Sequence, residues 1–237
     1  TTPITVEYVK GVERLCRKYG ALLVFDEVVT GFRIGMAGAQ GYFGVSPDLT
    51  IFGKVIAGGY PGAGGIGGKR EYMKYLGAGL DSSGKKIHKA LVGGTMTANP
   101  LSCCAGYFTL EEIERTNACQ KAGQMGDRIC AGLKELVKKH GLPFVVWNTG
   151  SICHLETVGT MHYQINWKKP WEIPAILGET GIRQKEMEHM GAAYMAEGLV
   201  TLAGSRLYTS AAYTPKMIDQ ALACFDRVFE NVAVKAD

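Results

Sequence analysis

Apolar residues recur at helical spacing over residues 5–18, where Val6, Val9, Val12, Leu15 and Cys16 share one face, and a continuous apolar run then fills 21–25. That change of period predicts a helix followed by a short strand. Further strands are expected at Leu49–Phe52 and Gly64–Gly68, with Lys69 to Met73 opening a helix and Pro100 standing in the first turn of a helix over 100–115. From about Asn117 the order changes. A helix over 119–139 stops at His140-Gly141, and Phe144–Trp147 and Ser151–Glu156 read as paired strands around Asn148-Thr149-Gly150. Residues 160–181 read as a long connection, and helices over 182–197 and 215–232 bracket a strand at 199–203. No internal repeat interrupts this order.

Two residues in the first half carry candidate chemistry. Asp26 closes the apolar run at 21–25, and Lys54 lies 28 positions later in a glycine-rich stretch. An acid buried at the carboxyl end of a strand sits where ligands gather in open α/β sheets. A lone lysine can form a Schiff base with an aldehyde cofactor if burial, a neighbouring cation or the imine lowers its value from about 10.4. Glycine neighbours let backbone and ligand approach closely. The same residues also read as a helix cap after a strand and as a solvated Gly-Lys loop, and spacing alone leaves both readings open.

Three stretches go further. Asp26-Glu27-Val28-Val29-Thr30-Gly31-Phe32-Arg33, Gly53-Lys54-Val55-Ile56-Ala57-Gly58-Gly59-Tyr60-Pro61 and Gly93-Gly94-Thr95-Met96-Thr97-Ala98-Asn99-Pro100 resemble successive signatures of the class III aminotransferases. Gly198 to Leu202, Leu207 to Thr214 and Ile218-Asp219 are similar to the end of the glutamate-1-semialdehyde aminomutase-like branch. The resemblance implies pyridoxal 5'-phosphate as cofactor. It matches Asp26 to the acid that pairs with the pyridine nitrogen, Val28 to the residue packed on a ring face and Lys54 to the Schiff-base lysine. Gly94 and Thr95 fall at the phosphate site, with Thr95 reaching over from a neighbouring subunit and so implying a dimer. Arg206 lies close to where many members place an arginine for the substrate carboxylate; a structural or surface ion pair is the other reading.

The implied fold is α/β of fold type I. Residues 1–116 would be the C-terminal part of the cofactor-binding large domain, a mainly parallel sheet with helices, and 117–237 a small α+β domain. Members of the class are about twice this length, so the resemblance covers the family's C-terminal half. The chain then reads as one half of a split or cleaved enzyme, or as a fragment, with another chain or segment supplying the N-terminal half. The implied activity is transfer of an amino group on an amino acid or amine through a Lys54 Schiff base. An aminomutase, racemase or lyase on the same scaffold stays open, as does a non-catalytic structural subunit.

Composition excludes more than it identifies. The 237 residues are 46% apolar and 20% charged with a net charge of +4, and the lysines and arginines are dispersed without the aromatic-basic alternation of a nucleic-acid surface. No apolar run is long enough to span a membrane, and seven cysteines in no Cys-x-x-Cys spacing fit reduced thiols in a cytoplasmic protein. Gly62 to Gly67 satisfies the G-x-G-x-x-G pattern, but Asp81 is too near to serve a ribose and the glycines fall in or beside a strand. A phosphate loop around Lys54 fails because Val55 follows it and position 48 is Asp. The five histidines lack ligand spacing, so no metal is expected, and His154 reads as a core histidine.

Overall fold

The helical pattern near the amino end becomes α1 (Val6–Tyr19), started by Thr5, whose hydroxyl accepts from the Tyr8 N–H at 3.1 Å, and ended by Gly20 in the left-handed region. In this computed structural model, residues 3–77, 79–157 and 168–232 are described. They fall into two units, Pro3–Gln120 and a second beginning at Lys121.

In the first unit Val9 of α1 packs with Leu23 and Val45, and Val12, Cys16, Phe25 and Phe43 surround them. Strand β1 (Val24–Asp26) is shorter and later than the 21–25 expectation. It runs parallel to β2 (Leu49–Phe52), with Val24 opposite Leu49 and Asp26 opposite Ile51. Helix α2 (Gly38–Phe43) lies in the connection. Strand β3 (Gly65–Gly68) then adds antiparallel to β2, so the sheet is mixed. Its glycines fit because Gly68 lies against Leu49, where an added Cβ would stand 2.6 Å from Leu49 Cδ2.

A buried carboxylate ties these elements together. Asp48, 1% exposed, accepts from Arg17 Nη1 of α1 at 2.9 Å, from the Leu23 N–H at 2.8 Å and from Lys69 Nζ at 2.6 Å. The Lys69 ammonium first, then the Leu23 amide and the Arg17 guanidinium hold it far below the usual carboxylate range. A short α3 (Arg70–Met73) follows β3, and α4 (Pro100–Thr116) starts at Asn99, whose side chain accepts from the Ser102 N–H.

The second unit carries α5 (Ala118–Lys139) from Lys121 onward, β4 (Val145–Thr149), β5 (Ile152–Glu156), α6 (Ile173–Ala196), β6 (Arg206–Tyr208) and α7 (Pro215–Glu230). The three strands form an antiparallel sheet in the order β4-β5-β6. Val146, Cys153, Leu155 and Leu207 meet Ile129, Cys130 and Leu133 of α5, Tyr194 of α6, and Ile218, Phe225 and Phe229 of α7 in one core. Period-two alternation sends the other side chains of each strand to the opposite face.

Two sequence expectations change here. The strand expected at 199–203 is a turn: Leu202 and Arg206 exchange backbone hydrogen bonds at 2.8 and 3.0 Å, with Ala203 at φ 53° and Gly204 at φ 69° between them. The strand proper starts at Arg206. The connection over 160–181 is partly helix, because Pro170–Glu172 makes a 3₁₀ turn that runs into α6. A proline in a first turn is compatible with a helix start. Its earlier part, 160–167, lies outside the described residues.

Candidate active site

Because β1 and β2 are parallel, their carboxyl ends open on the same edge, and Asp26 and Lys54 both stand there. Lys54 comes three residues after Ile51, the register partner of Asp26. Asp26 Oδ1 accepts from the Val28 N–H at 3.0 Å, which turns the chain at the strand end. Val28 then lies over Gly53: a Cβ added there would sit 3.2 Å from Val28 Cγ1. Asp26, Val28 and Lys54 thus stand along one strand edge.

Contrary to the sequence expectation, Asp26 is exposed, and so is Lys54. The buried acid is its neighbour Glu27, 1% exposed. Its Oε2 accepts from Thr30 Oγ1 and from the Ala39 N–H, both at 2.8 Å, and its Oε1 accepts from the Gln40 N–H at 3.1 Å. Glu27 therefore caps the start of α2, with Gly38 at φ 56° where a Cβ would stand 2.8 Å from the Glu27 Cδ. The helix-cap reading of the acidic pair falls to Glu27. Period two explains why: one side chain of consecutive strand-end residues enters the unit and the next faces the edge.

Lys54 opens a 3₁₀ turn (Lys54–Ala57) in the left-handed region, at φ 50°. That conformation costs a non-glycine residue about 1–2 kcal/mol. Packing on α4 holds it. A Cβ at Gly106 would collide with the Ile56 carbonyl oxygen, and one at Gly58 would lie 2.6 Å from the Ala105 backbone, so helix and turn meet backbone to backbone. Pro61 O is gripped twice, accepting from Ser102 Oγ at 2.6 Å and from Asn99 Nδ2 at 3.3 Å. These supporting residues were missed in the sequence. Their signal was Asn99-Pro100 as a helix start; the partner 38 or 41 positions earlier has no local trace.

Gly94 and Thr95 lie in an exposed segment just before α4, where the Thr97 N–H donates to Gly94 O at 3.0 Å. The same segment reaches the lysine loop, since a Cβ on Gly62 would sit 2.8 Å from Met96 O. Gly65 to Gly68 of the glycine run form β3. Arg206 belongs to the second unit, half-buried at the start of β6 and opposite His154. A separate open hollow beside α3, lined by Arg70, Lys74, Leu80, Asp81, Ser82 and Ile87, contains none of the expected site residues.

The fold is that of part of a fold type I transferase. An omega-transaminase from Sphaerobacter thermophilus superposes with a TM-score of 0.76 over 97% of this chain and 49% of its own, at 23% identity, a likeness of fold alone. A beta-phenylalanine aminotransferase from Variovorax paradoxus gives 0.74 over 96% of this chain and 48% of its own, at 21% identity. The class-III aminotransferase model matches residues 1–203, and the chain belongs to that enzyme family. Among its relatives, glutamate-1-semialdehyde 2,1-aminomutase 2 of Shouchella clausii is 38% identical over 91% of this chain and 46% of its own length. The glutamate-1-semialdehyde 2,1-aminomutase of Legionella pneumophila (strain Paris) is 40% identical over 62% of this chain and 32% of its own length. The chain spans about half the length of such relatives or less.

Proposed function

We propose that this chain carries the reactive-lysine edge of a pyridoxal phosphate enzyme that moves an amino group on an amino acid or amine. The observation that carries the reading is the parallel β1–β2 register, with a carboxylate and a primary amine at one strand edge and Val28 seated on Gly53 beside them. Those donors fit the cofactor: an acid for its ring nitrogen, an apolar side chain for a ring face and an amine for its aldehyde. When bound, the cofactor supplies an aldehyde that accepts amino groups and a ring that withdraws electrons from the substrate carbon.

The chain's own residues do the rest. Lys54 Nζ would anchor the group, and its free amine would hold the proton lifted from the substrate carbon and return it. Asp26 would pair with the ring nitrogen and favour its protonated form. Gly94 and Thr95 offer a backbone N–H and a hydroxyl to the phosphate, and Arg206 receives a substrate carboxylate. The exposure of Asp26 and Lys54 means that polypeptide from outside this edge must exclude water during the reaction. A second subunit sharing the phosphate site, or a further segment supplying the family's other half, is proposed for that cover.

A second reading, intramolecular movement of the amino group, is favoured by the names of the two relatives, both aminomutases. Both readings use Lys54 and Asp26 alike. The test is borohydride reduction after incubation with pyridoxal phosphate, followed by peptide mass mapping. Addition at Lys54 is expected. Label on other lysines in its place removes Lys54 from the mechanism.

A further inference from the structure

The face of the second unit's sheet that points away from the α5–α7 core carries a row of three side chains. Register places Trp147 opposite His154 and His154 opposite Arg206, so all three stand side by side on one face. The Trp147 and His154 rings are stacked, with centroids 4.0 Å apart and planes 10° from parallel. His154 is 1% exposed, yet among the described residues its Nδ1 makes no hydrogen bond; Glu156 Oε1, two residues along the same face, lies 3.5 Å away. The Trp147 Nε1 is buried and equally without a hydrogen-bond partner among the described residues. Buried polar atoms are nearly always satisfied, so two orphaned nitrogens in one stack call for an explanation.

The backbone beneath Arg206 is fixed on both sides. Leu202 exchanges two hydrogen bonds with it, and the neighbouring Ser205 O accepts from the Leu155 N–H at 2.8 Å. The turn in turn abuts α6, where a Cβ at Gly204 would meet the Met187 carbonyl oxygen. With its backbone held, the aim of the guanidinium depends on what its flat face rests against. Guanidinium groups stack on aromatic planes, and their fork must be correctly turned to hold a carboxylate with two hydrogen bonds.

We propose that the Trp147–His154 stack is a positioning device for Arg206, presenting its fork as a recognition site for a carboxylate group. The flat His154 ring, held from behind by Trp147, sets the plane of the guanidinium. The orphaned nitrogens follow, because a ring placed for its face leaves its edge unused. This inference rests on the reading of Arg206 as the carboxylate-binding residue.

The test is calorimetric titration of the full chain with glutarate, with the uncharged diamide as control. The unaltered protein is expected to bind glutarate and not the diamide, and absence of saturable heat overturns the site outright. Arg206→Ala is expected to abolish binding; an unchanged affinity overturns Arg206 as the carboxylate residue. His154→Leu is expected to weaken binding at least about tenfold, while His154→Phe, which keeps a flat ring, stays within about threefold. Wild-type affinity in His154→Leu, or equal losses in Leu and Phe variants that both unfold cooperatively, overturns the positioning role and leaves Arg206 standing. The Lys54 labelling experiment is independent of every one of these outcomes.

Discussion

Adjacent acids with different surroundings make the sharpest comparison in the first unit. Glu27 receives three hydrogen bonds in a buried position, and a glutamine there would turn a donor toward at least one of those donors. Glu27→Gln is expected to lower stability by about 2 kcal/mol, read from the urea midpoint. Asp26→Ala, at an exposed position, is expected to shift that midpoint by less than about 0.5 kcal/mol while weakening pyridoxal phosphate retention in dialysis. Asp48 adds a pH signature. Its carboxyl is depressed by Lys69, Leu23 and Arg17, so its stabilisation is present above the ordinary carboxylate value and is lost as pH falls. Asp48→Asn should cost about 2 kcal/mol at pH 7, a figure moderated by the 42% exposure of both cations. The gap from wild type should narrow as pH drops below about 4. The local sequence exposed little of this. Asp26 and Lys54 announce themselves through motif context, whereas the burial of Asp48 depends on Arg17 and Lys69, 31 and 21 positions away.

Elements with strong local periodicity were legible, and those set by distant contacts were not. The pattern at 5–18, the run at 49–52 and the Asn99-Pro100 start lead directly to α1, β2 and α4. The strand expected at 199–203 failed because Ala203 and Gly204 adopt positive φ, a turn conformation that the apolar residues Leu199, Val200 and Leu202 do not advertise. The mixed character of the first sheet was also hidden, since strand direction depends on where the glycine run returns. The packing of α4 on the lysine turn yields a test of its own. Gly106→Ala, whose Cβ meets the Ile56 carbonyl, is expected to destabilise by about 1–3 kcal/mol and to reduce Lys54 labelling in step. Gly178→Ala, in α6 with open space around it, should instead raise thermal stability by up to about 1 kcal/mol. If both substitutions behaved alike, helix propensity rather than the α4 contact would govern the turn.

At the scale of the whole molecule, exposed apolar side chains on α4 and in the segment before it bear on assembly. Leu91 is 100% exposed, and Leu101 and Phe108 are each 61% exposed. Surface of that kind marks contact sites when it is contiguous. Sedimentation velocity is expected to show association that grows with concentration and is reduced by Phe108→Glu; a constant monomer value would remove this surface from the assembly. No described helix is long and apolar enough to cross a membrane. Family and fold class were legible because three local motifs resemble signatures of the family, while the supporting contacts around them are tertiary. The left-handed Lys54 has a consequence for how the protein ages in a lineage. Glycine at that position would relax the backbone and, if Lys54 holds the proposed role, yield a chemically inert chain that folds at least as well as the original. Cellular proteolysis discards unstable chains, so it would spare such a copy. On the proposed role of Lys54, the lysine is kept only by selection on turnover, and where that selection lapses this turn is a place where decay costs the fold nothing.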